Sequence, residues 1–407
     1  MKLTWQPILD VVEPIMEDQE LTPEAILGKA DAESEWAKKG STVASELFIQ
    51  TQSYNNFKKN NFIYLFGRRG SGKTALVNMI HHEIRAEIYK DFSYSWILNQ
   101  DDIFKEVSIY ILENFDLTDQ KHSMFSAILR SQWIWLFKIS AMQAVIHERL
   151  PEKMDEDTKV IFDFLKEIKL IYVRGSDNKK KFLDPLEMIN ENMRKEDLEA
   201  DRSPKKLRQL LKIMIDENDE MFEDAEASLQ KILEETGPCL IMVDSMEYYD
   251  ISDIISGAYA TSLIDAVFYM YKQFLDDGTI LVKAIFPSET MEHLIIRNKE
   301  KIAPHFMYIF WNFGDLISLI AKRYWYFKYN NTNIDRDLNK LAVARTFLSI
   351  DFPKTVKPYP NNLELDTFFY IISNTHKKPR QVIRILNSIL TYTKACSGNC
   401  FTSIKKT

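Results

Sequence analysis

The chain has 407 residues, enough for one large elaborated domain or for two or three domains of the usual ~150 residues. Hydrophobic residues make up 45% and charged residues 27%, which excludes a disordered or collagen-like chain. The 52 Lys and Arg residues are outnumbered by 59 Asp and Glu residues, so the net charge of −7 excludes a generally basic nucleic-acid-binding protein, though not a local basic patch.

Short apolar runs alternate with helical patterns along the chain. The apolar runs predict strands at 61–66, 96–98, 239–243, 280–286 and 305–310. Amphipathic patterns predict helices at 73–87, 253–274 and 313–327. Strands that alternate with helices predict an α/β fold with a parallel sheet.

The chain is predicted to have three parts. Residues 1–55 form a helical lead-in, residues 56–330 form the α/β core, and residues 331–407 form a C-terminal helical lid, which a Pro-rich stretch at 351–360 interrupts. A large insertion at 103–235, mostly helical with one loop at its middle, is expected within the core.

A phosphate-binding motif occupies residues 67–74, which read G-R-R-G-S-G-K-T and match G-x-x-x-x-G-K-[ST] at every fixed position. A buried strand is predicted before it and a helix after it, as the motif requires. Its glycines let successive backbone N–H groups point into one cavity and hold phosphate oxygens. Lys73 is expected to contact the β- and γ-phosphates, and the Thr74 hydroxyl to bind Mg²⁺. The residues predicted to bind the nucleotide are Gly67, Arg69, Gly70, Ser71, Gly72, Lys73, Thr74, Ala75 and, after a later strand, Ser288.

The apolar run at 239–243 ends in Asp244, a pattern that places a carboxylate beside a Mg²⁺–nucleotide. Asp244 is therefore the predicted metal-side acid. Glu247 follows it closely and is the predicted catalytic carboxylate that orients or deprotonates the attacking water, with Asp250 as a weaker alternative. No N-K-x-D motif suited to reading guanine is present, so ATP is favoured over GTP.

Two later segments carry polar groups suited to contacting phosphates. Ser288 follows the strand at 280–286 and would reach a γ-phosphate if this strand lies between the loop strand and the acidic strand. The segment K-K-P-R-Q-V-I-R at 377–384 opens a C-terminal helix with proline at its start, a favourable position for proline. Arg380 and Arg384 share one face of this helix. Its apolar residues are spaced to face a core: Val382, Ile385, Leu386 and Ile389.

Together these motifs resemble the STAND/initiator-like branch of the AAA+ ATPases, and in particular a bacterial group of stand-alone P-loop ATPases. The resemblance is carried by A-D-A-E-S-E at 30–35, the loop at 67–74, D-S-M-E at 244–247 and P-R-Q-V-I-R at 379–384. It implies a P-loop NTPase core with a helical lid, in which Arg380 reaches the phosphates.

Two positions bear on how closely the chain follows that family. Residue 245 is Ser, where many AAA+ proteins carry the catalytic Glu, so hydrolysis is expected to depend on Glu247 or to be slow. Arg297 is the candidate arginine finger, the residue that would reach the nucleotide of a neighbouring subunit.

The predicted function is that of an ATPase acting as a switch, in which ATP binding and slow hydrolysis control self-assembly or a separate effector protein. A homo-oligomer is expected, and the resemblance suggests a setting in bacterial antiviral defence. One alternative is a DNA-associated AAA+ loader, for which the lysines at 179–181 are the best nucleic-acid contacts, although they are more simply interpreted as solvated loop charges. A second alternative is a P-loop kinase.

Cysteine usage and hydropathy predict a soluble cytoplasmic protein with no membrane partner. Three cysteines cannot build a disulfide framework and are typical of a reducing compartment. The first residues, M-K-L-T-W-Q-P, lack the apolar core of a signal peptide. The most apolar stretch, 133–146, contains Lys138 and is too short to span a bilayer, and its residues Trp133 and Trp135 are interpreted as core. No zinc-binding spacing is present.

Overall fold

The computed structural model describes residues 27–28, 36, 42–99, 122–149, 154–168, 170–174, 179–182, 219–244, 254–292, 296, 299–329, 336–357 and 363–397. The chain divides into two compact units. The sheet unit comprises residues 56–68 and 80–308, and the helical unit comprises residues 1–55, 69–79 and 309–407. The boundary between them falls inside the phosphate-binding motif, after Arg68. The predicted division into lead-in, core and lid stays a prediction.

Helices make up most of the described chain. They are α1 Gln52–Lys58, α2 Lys73–Arg85, α3 His122–Arg149, α4 Glu156–Glu167, α5 Asp219–Thr236, α6 Ile254–Asp277, α7 Lys299–Ile302, α8 Phe313–Tyr329, α9 Leu341–Leu348, α10 Thr367–Ser373 and α11 Pro379–Ser397. Residues 42–47 are also helical. Single-turn 3₁₀ helices lie at Ser288–Glu292, Ala303–His305 and Arg336–Asn339. Among the described helices, none combines the length and the apolar character needed to cross a bilayer.

The strands form one main sheet and two small hairpins. They are β1 Tyr64–Gly67, β2 Tyr94–Asn99, β3 Ile171–Arg174, β4 Lys179–Phe182, β5 Cys239–Asp244, β6 Ile280–Pro287, β7 Phe306–Tyr308, β8 Thr355–Val356 and β9 Leu365–Asp366. The main sheet has five parallel strands in the order β2-β5-β6-β1-β7. The predicted α/β fold with a parallel sheet is confirmed.

The inner strands of the main sheet are buried on both faces. Every residue of β1, β5 and β6 is buried, as expected for parallel strands that read as continuous apolar runs. Aromatic rings of neighbouring strands pack against each other. The ring of Phe66 in β1 stacks on that of Phe286 in β6 with centroids 5.4 Å apart, and it contacts the ring of Phe306 in β7 edge-on at 5.0 Å. Because these runs are apolar except for Lys283 in β6 and Asp244 at the end of β5, their existence and type were readable from the sequence.

The order of the strands places a topological switch point beside β1. The chain leaves β1 toward β2 at one edge of the sheet, whereas it leaves the neighbouring strand β6 toward β7 at the other edge. Adjacent strands whose connections run in opposite directions define a topological switch point, and ligands of open α/β sheets bind there, beyond the carboxyl ends of the strands. The phosphate-binding motif begins at that end of β1.

The described parts of the insertion are mostly helical, but they also contain a β-hairpin that was not predicted. Strands β3 and β4 pair antiparallel, with Arg174 opposite Lys179 and Ile171 opposite Phe182. The interpretation of the lysines at 179–181 as loop charges was therefore wrong, because they lie in β4. The run I-Y-V before a G-S-D-N turn is a hairpin signal that the lysines mask. Trp133 and Trp135 are 1% and 4% exposed, so their interpretation as core is confirmed.

The helical unit has its own apolar core, built from α8, α9, α10 and α11 with the segments at 27–28 and 42–49. The predicted core-facing residues of α11 are confirmed, since Val382, Leu386 and Ile389 are buried and Ile385 is partly buried. Strand β8 lies in the Pro-rich stretch and pairs with β9 beyond it, forming a short hairpin that was not predicted because each strand has only two residues.

Candidate functional site

The loop at 67–74 has two glycines in a conformation that other residues rarely adopt. Gly70 and Gly72 have φ of +76° and +89°, while φ is not positive at the residues that follow each of them, Ser71 and Lys73. Such alternation of the sign of φ is a feature of the anion-binding backbone arrangement called a nest. Helix α2 begins at Lys73, directly after the second glycine, and its amino end adds positive potential to the same region.

Three consecutive carbonyl groups of the loop accept hydrogen bonds within the helical unit. The Gly70 carbonyl accepts from the backbone N–H of Arg380 at 3.4 Å, a long bond. The Ser71 carbonyl accepts from the indole Nε1–H of Trp311 at 2.7 Å. The Gly72 carbonyl accepts from the N–H of Leu76 at 3.1 Å, in the first turn of α2. The N–H of each following residue lies in the same trans peptide and points the opposite way, so these three N–H groups face away from the donors that hold the carbonyls.

Arg380 is brought to the loop by the start of helix α11. Pro379 is the first residue of this helix, as predicted, and the N–H of Arg380 is among the amino-terminal donors that have no partner inside the helix. The stem of the Arg380 side chain lies against Gly70: a Cβ built on the glycine would be 3.0 Å from the Arg380 Cβ and 3.4 Å from its Cδ. The preceding turn holds His376 and Lys377 at φ of 49° and 56°, a costly conformation that packing must maintain.

The polar side chains of the loop differ in burial. Lys73 is 4% exposed and Ser71 is 6% exposed. The Oγ of Ser71 has no hydrogen-bond partner among the described residues, and a buried hydroxyl without a partner is costly unless a ligand or water supplies one. Thr74 and Ala75 are half-buried, whereas Arg69 is exposed. The predicted nucleotide-contacting role of Arg69 stays a prediction.

The sheet unit brings Gly67, Asp244 and Ser288 to the same end of the sheet, where the carboxyl ends of its parallel strands lie. Gly67 ends β1 and is paired with Pro287, so Ser288 comes directly after the strand beside it. Asp244 ends β5 and is 3% exposed. Strand β6 lies between β1 and β5, which meets the condition under which Ser288 was predicted to approach a phosphate. With strands about 4.8 Å apart, the ends of β1 and β5 are about 10 Å from each other.

Several predicted residues lie outside the described part of the chain. They are Glu247, Asp250 and Arg297, together with the acidic element at 30–35. Within the described residues, no group of three or more His, Cys, Asp and Glu side chains could hold a metal ion by itself. The predicted metal-side roles of Thr74 and Asp244 stay predictions.

Trp311 is the loop contact that sequence reasoning missed. It lies between β7 and α8 in the segment F-W-N-F, which reads only as the end of a strand and the start of a helix. No motif or spacing relates it to Ser71, from which it is separated by 240 positions. A tryptophan that follows an edge strand is only a weak indication of a functional role, and it does not indicate which residue its N–H contacts.

Gly70→Ala tests whether the loop is packed against Arg380. Alanine at φ +76° is strained by about 1–2 kcal/mol, and its Cβ would also press on the Arg380 Cβ at 3.0 Å. Gly278→Ala is the matched control, because Gly278 has φ +71° and a Cβ there would meet nothing within 4 Å. We expect urea unfolding, followed by circular dichroism, to show a loss of about 1 kcal/mol for Gly278→Ala and clearly more for Gly70→Ala. Equal losses would contradict the packed arrangement.

Comparison of the chain with protein-family models, with curated proteins and with solved structures found no match in any of the three.

Proposed function

We propose that this chain binds ATP together with Mg²⁺, hydrolyses it slowly, and acts as a nucleotide-controlled switch. The observation that carries the proposal is the loop at 69–74: donors from Arg380 and Trp311 and from the first turn of α2 hold three consecutive carbonyls, so the N–H groups of Ser71, Gly72 and Lys73 point away from those donors. A run of such N–H groups at the start of a helix suits a phosphate group better than any neutral ligand.

The residues present fit a nucleotide with its metal ion. The Ser71 hydroxyl is buried and lacks a partner among the described residues, and Lys73 is a buried cation at the start of α2. Thr74 supplies a hydroxyl and Asp244 a buried carboxylate, which are the hard oxygen ligands that Mg²⁺ prefers. When bound, Mg²⁺ would neutralise phosphate charge and help to orient the phosphates.

We propose further that the parallel sheet is the core of a P-loop NTPase of the AAA+ type and that the C-terminal helices are its lid. Two observations support this assignment. Strand β6, followed by Ser288, lies between the loop strand and the acidic strand. The helix that begins at Pro379 contacts the loop through Arg380. In this proposal Arg380 senses the terminal phosphate, so that loss of that phosphate loosens the lid.

The biological role proposed for the switch is control of self-assembly or of a separate effector, in bacterial antiviral defence. This part rests on the resemblance of the motifs at 67–74, 244–247 and 379–384 to stand-alone bacterial ATPases. ATP is proposed as the nucleotide, and Glu247 as the carboxylate that aligns water.

The test is a set of three measurements on the purified chain. Calorimetric titration with ATP, ADP and GTP in Mg²⁺ should show binding of adenine nucleotides in preference to GTP. Phosphate release should be slow, and light scattering should show a larger particle with ATP than without nucleotide. Release stimulated by DNA would favour the loader, and a phosphorylated acceptor without free phosphate would favour the kinase. No binding of any nucleotide would overturn the proposal.

Arg380→Ala should weaken the preference for ATP over ADP. Because the proposed role of this arginine concerns the terminal phosphate, we expect ATP affinity and turnover to fall by about tenfold while ADP affinity stays within about twofold. Arg384→Ala is the matched control, since Arg384 lies one turn later on α11 and is likewise half-buried. Unchanged turnover and an unchanged ATP-to-ADP ratio in Arg380→Ala would show that this arginine is only structural.

A further inference from the structure

Trp311 makes a specific polar contact with the phosphate-binding loop. Its indole N–H donates to the Ser71 carbonyl at 2.7 Å, a short and well-formed bond. The ring also lies beside the next residue, since a Cβ built on Gly72 would be 3.6 Å from the Trp311 Cζ2. The remainder of the side chain packs against the core of the helical unit.

This contact fixes the direction of one peptide group of the loop. The carbonyl of Ser71 and the N–H of Gly72 belong to the same planar trans peptide, so a donor that holds the carbonyl also aims the N–H the opposite way. Gly72, at φ +89°, can adopt many other conformations, and glycine loses more freedom than any other residue when it is ordered. A hydrogen bond from outside the loop therefore supplies an orientation that the loop sequence alone does not.

We propose that Trp311 is a positioning residue for nucleotide binding, which holds the Gly72 N–H in its phosphate-binding direction before any ligand arrives. This inference rests on the proposed function, and it adds a residue to which no part of the loop motif points. Trp311 acts on affinity and not on the chemical step, because it touches the side of the loop that carries the carbonyls. A bond formed in advance lowers the cost of ordering the loop on binding.

Trp311→Phe removes the N–H and keeps a ring in the same place. Trp325→Phe is the matched control, because Trp325 lies in the same helical unit and its buried indole N–H has no hydrogen-bond partner among the described residues. Two readouts are compared: calorimetric affinity for ATP and for ADP in Mg²⁺, and hydrogen exchange of the 69–79 backbone in the nucleotide-free protein.

For Trp311→Phe we expect both affinities to fall by about tenfold, the equivalent of roughly one net hydrogen bond. The ATP-to-ADP ratio and turnover at saturating ATP should stay within about twofold of wild type, and exchange at 69–79 should be faster without nucleotide. Trp325→Phe should change none of these. Trp311→His, which retains a ring N–H, should recover part of the affinity and serves as the second variant if the phenylalanine variant does not fold.

The outcomes separate this inference from the proposed function. Wild-type affinity and wild-type exchange in Trp311→Phe would overturn the positioning role and leave nucleotide binding intact. A loss of turnover at saturating ATP would also overturn it, since a positioning residue for binding leaves the chemical step unchanged. Failure of the wild-type chain to bind nucleotide would instead overturn the proposed function. The role of Trp311 in nucleotide binding would then fall with it, even if hydrogen exchange showed that Trp311 orders the loop.

Discussion

Lys73→Ala should lower the affinity for ATP and for ADP by a factor on the order of 10² or more, because truncating one side of a buried charged contact costs several kcal/mol. Lys73 is 4% exposed at the first position of α2, next to the loop N–H groups. Its burial strengthens the prediction, since charges act more strongly where water is excluded. Alanine is the best helix former, so α2 should remain intact. Calorimetric titration in Mg²⁺ measures the affinity, and circular dichroism verifies the fold.

A second buried lysine of the helical unit provides the control for Lys73. Lys322 is 8% exposed, and its ammonium group donates to the carbonyls of Glu46 and Phe48 at 3.2 and 3.0 Å. Burial lowers the pKa of Lys322. Lys322→Met leaves those carbonyls without their donor, so it should reduce the free energy of unfolding while nucleotide affinity is retained. The P-loop assignment would be lost if Lys73→Ala bound ATP as tightly as wild type.

Glu247→Gln should bind ATP normally and hydrolyse it 10²–10⁴ times more slowly, the usual range for removal of a positioned general base. Asp244 ends a strand and Glu247 follows it by three positions, whereas Ser245 has no carboxylate to offer. Glutamine keeps the size and hydrogen-bonding capacity of the side chain but cannot accept the proton. Any assembly that depends on ATP should become long-lived in this variant. Single-turnover hydrolysis of pre-bound ATP at saturating Mg²⁺ is the measurement.

Asp244→Asn separates the metal-side role from the catalytic one. Asp244 is buried at the carboxyl end of β5, and the loss of its charge should weaken binding that depends on Mg²⁺, which Glu247→Gln leaves unchanged. If Glu247→Gln turns over at the wild-type rate, Glu247 is a bystander, and Asp250 or a residue of a neighbouring subunit takes its place. If the two variants had the same effects on Mg²⁺-dependent binding and on turnover, the separate roles proposed for Asp244 and Glu247 would be wrong.

The sequence by itself determined the elements whose signal is local. Strands β1, β5 and β6 were read from mostly apolar runs, because strands buried on both faces contain few polar residues; Lys283 is the exception inside β6. The start of α11 at Pro379 and the core-facing residues of that helix followed from proline geometry and helical spacing. The G-x-x-x-x-G-K-T motif predicted the loop because its glycines and its lysine are adjacent in the chain.

The tertiary structure alone decided which distant residues meet the loop and how the strands are ordered. Strand β6 lies between β1 and β5, and it pairs with β1 across more than 200 positions of the chain. The contacts of Arg380 and Trp311 with the loop likewise join residues more than 200 positions apart. No local pattern encodes such contacts, because they depend on how whole elements pack around a shared core. The β3–β4 hairpin was missed for a related reason: its lysines favour solvent, and only the pairing of Ile171 with Phe182 and of Val173 with Lys180 makes them a strand.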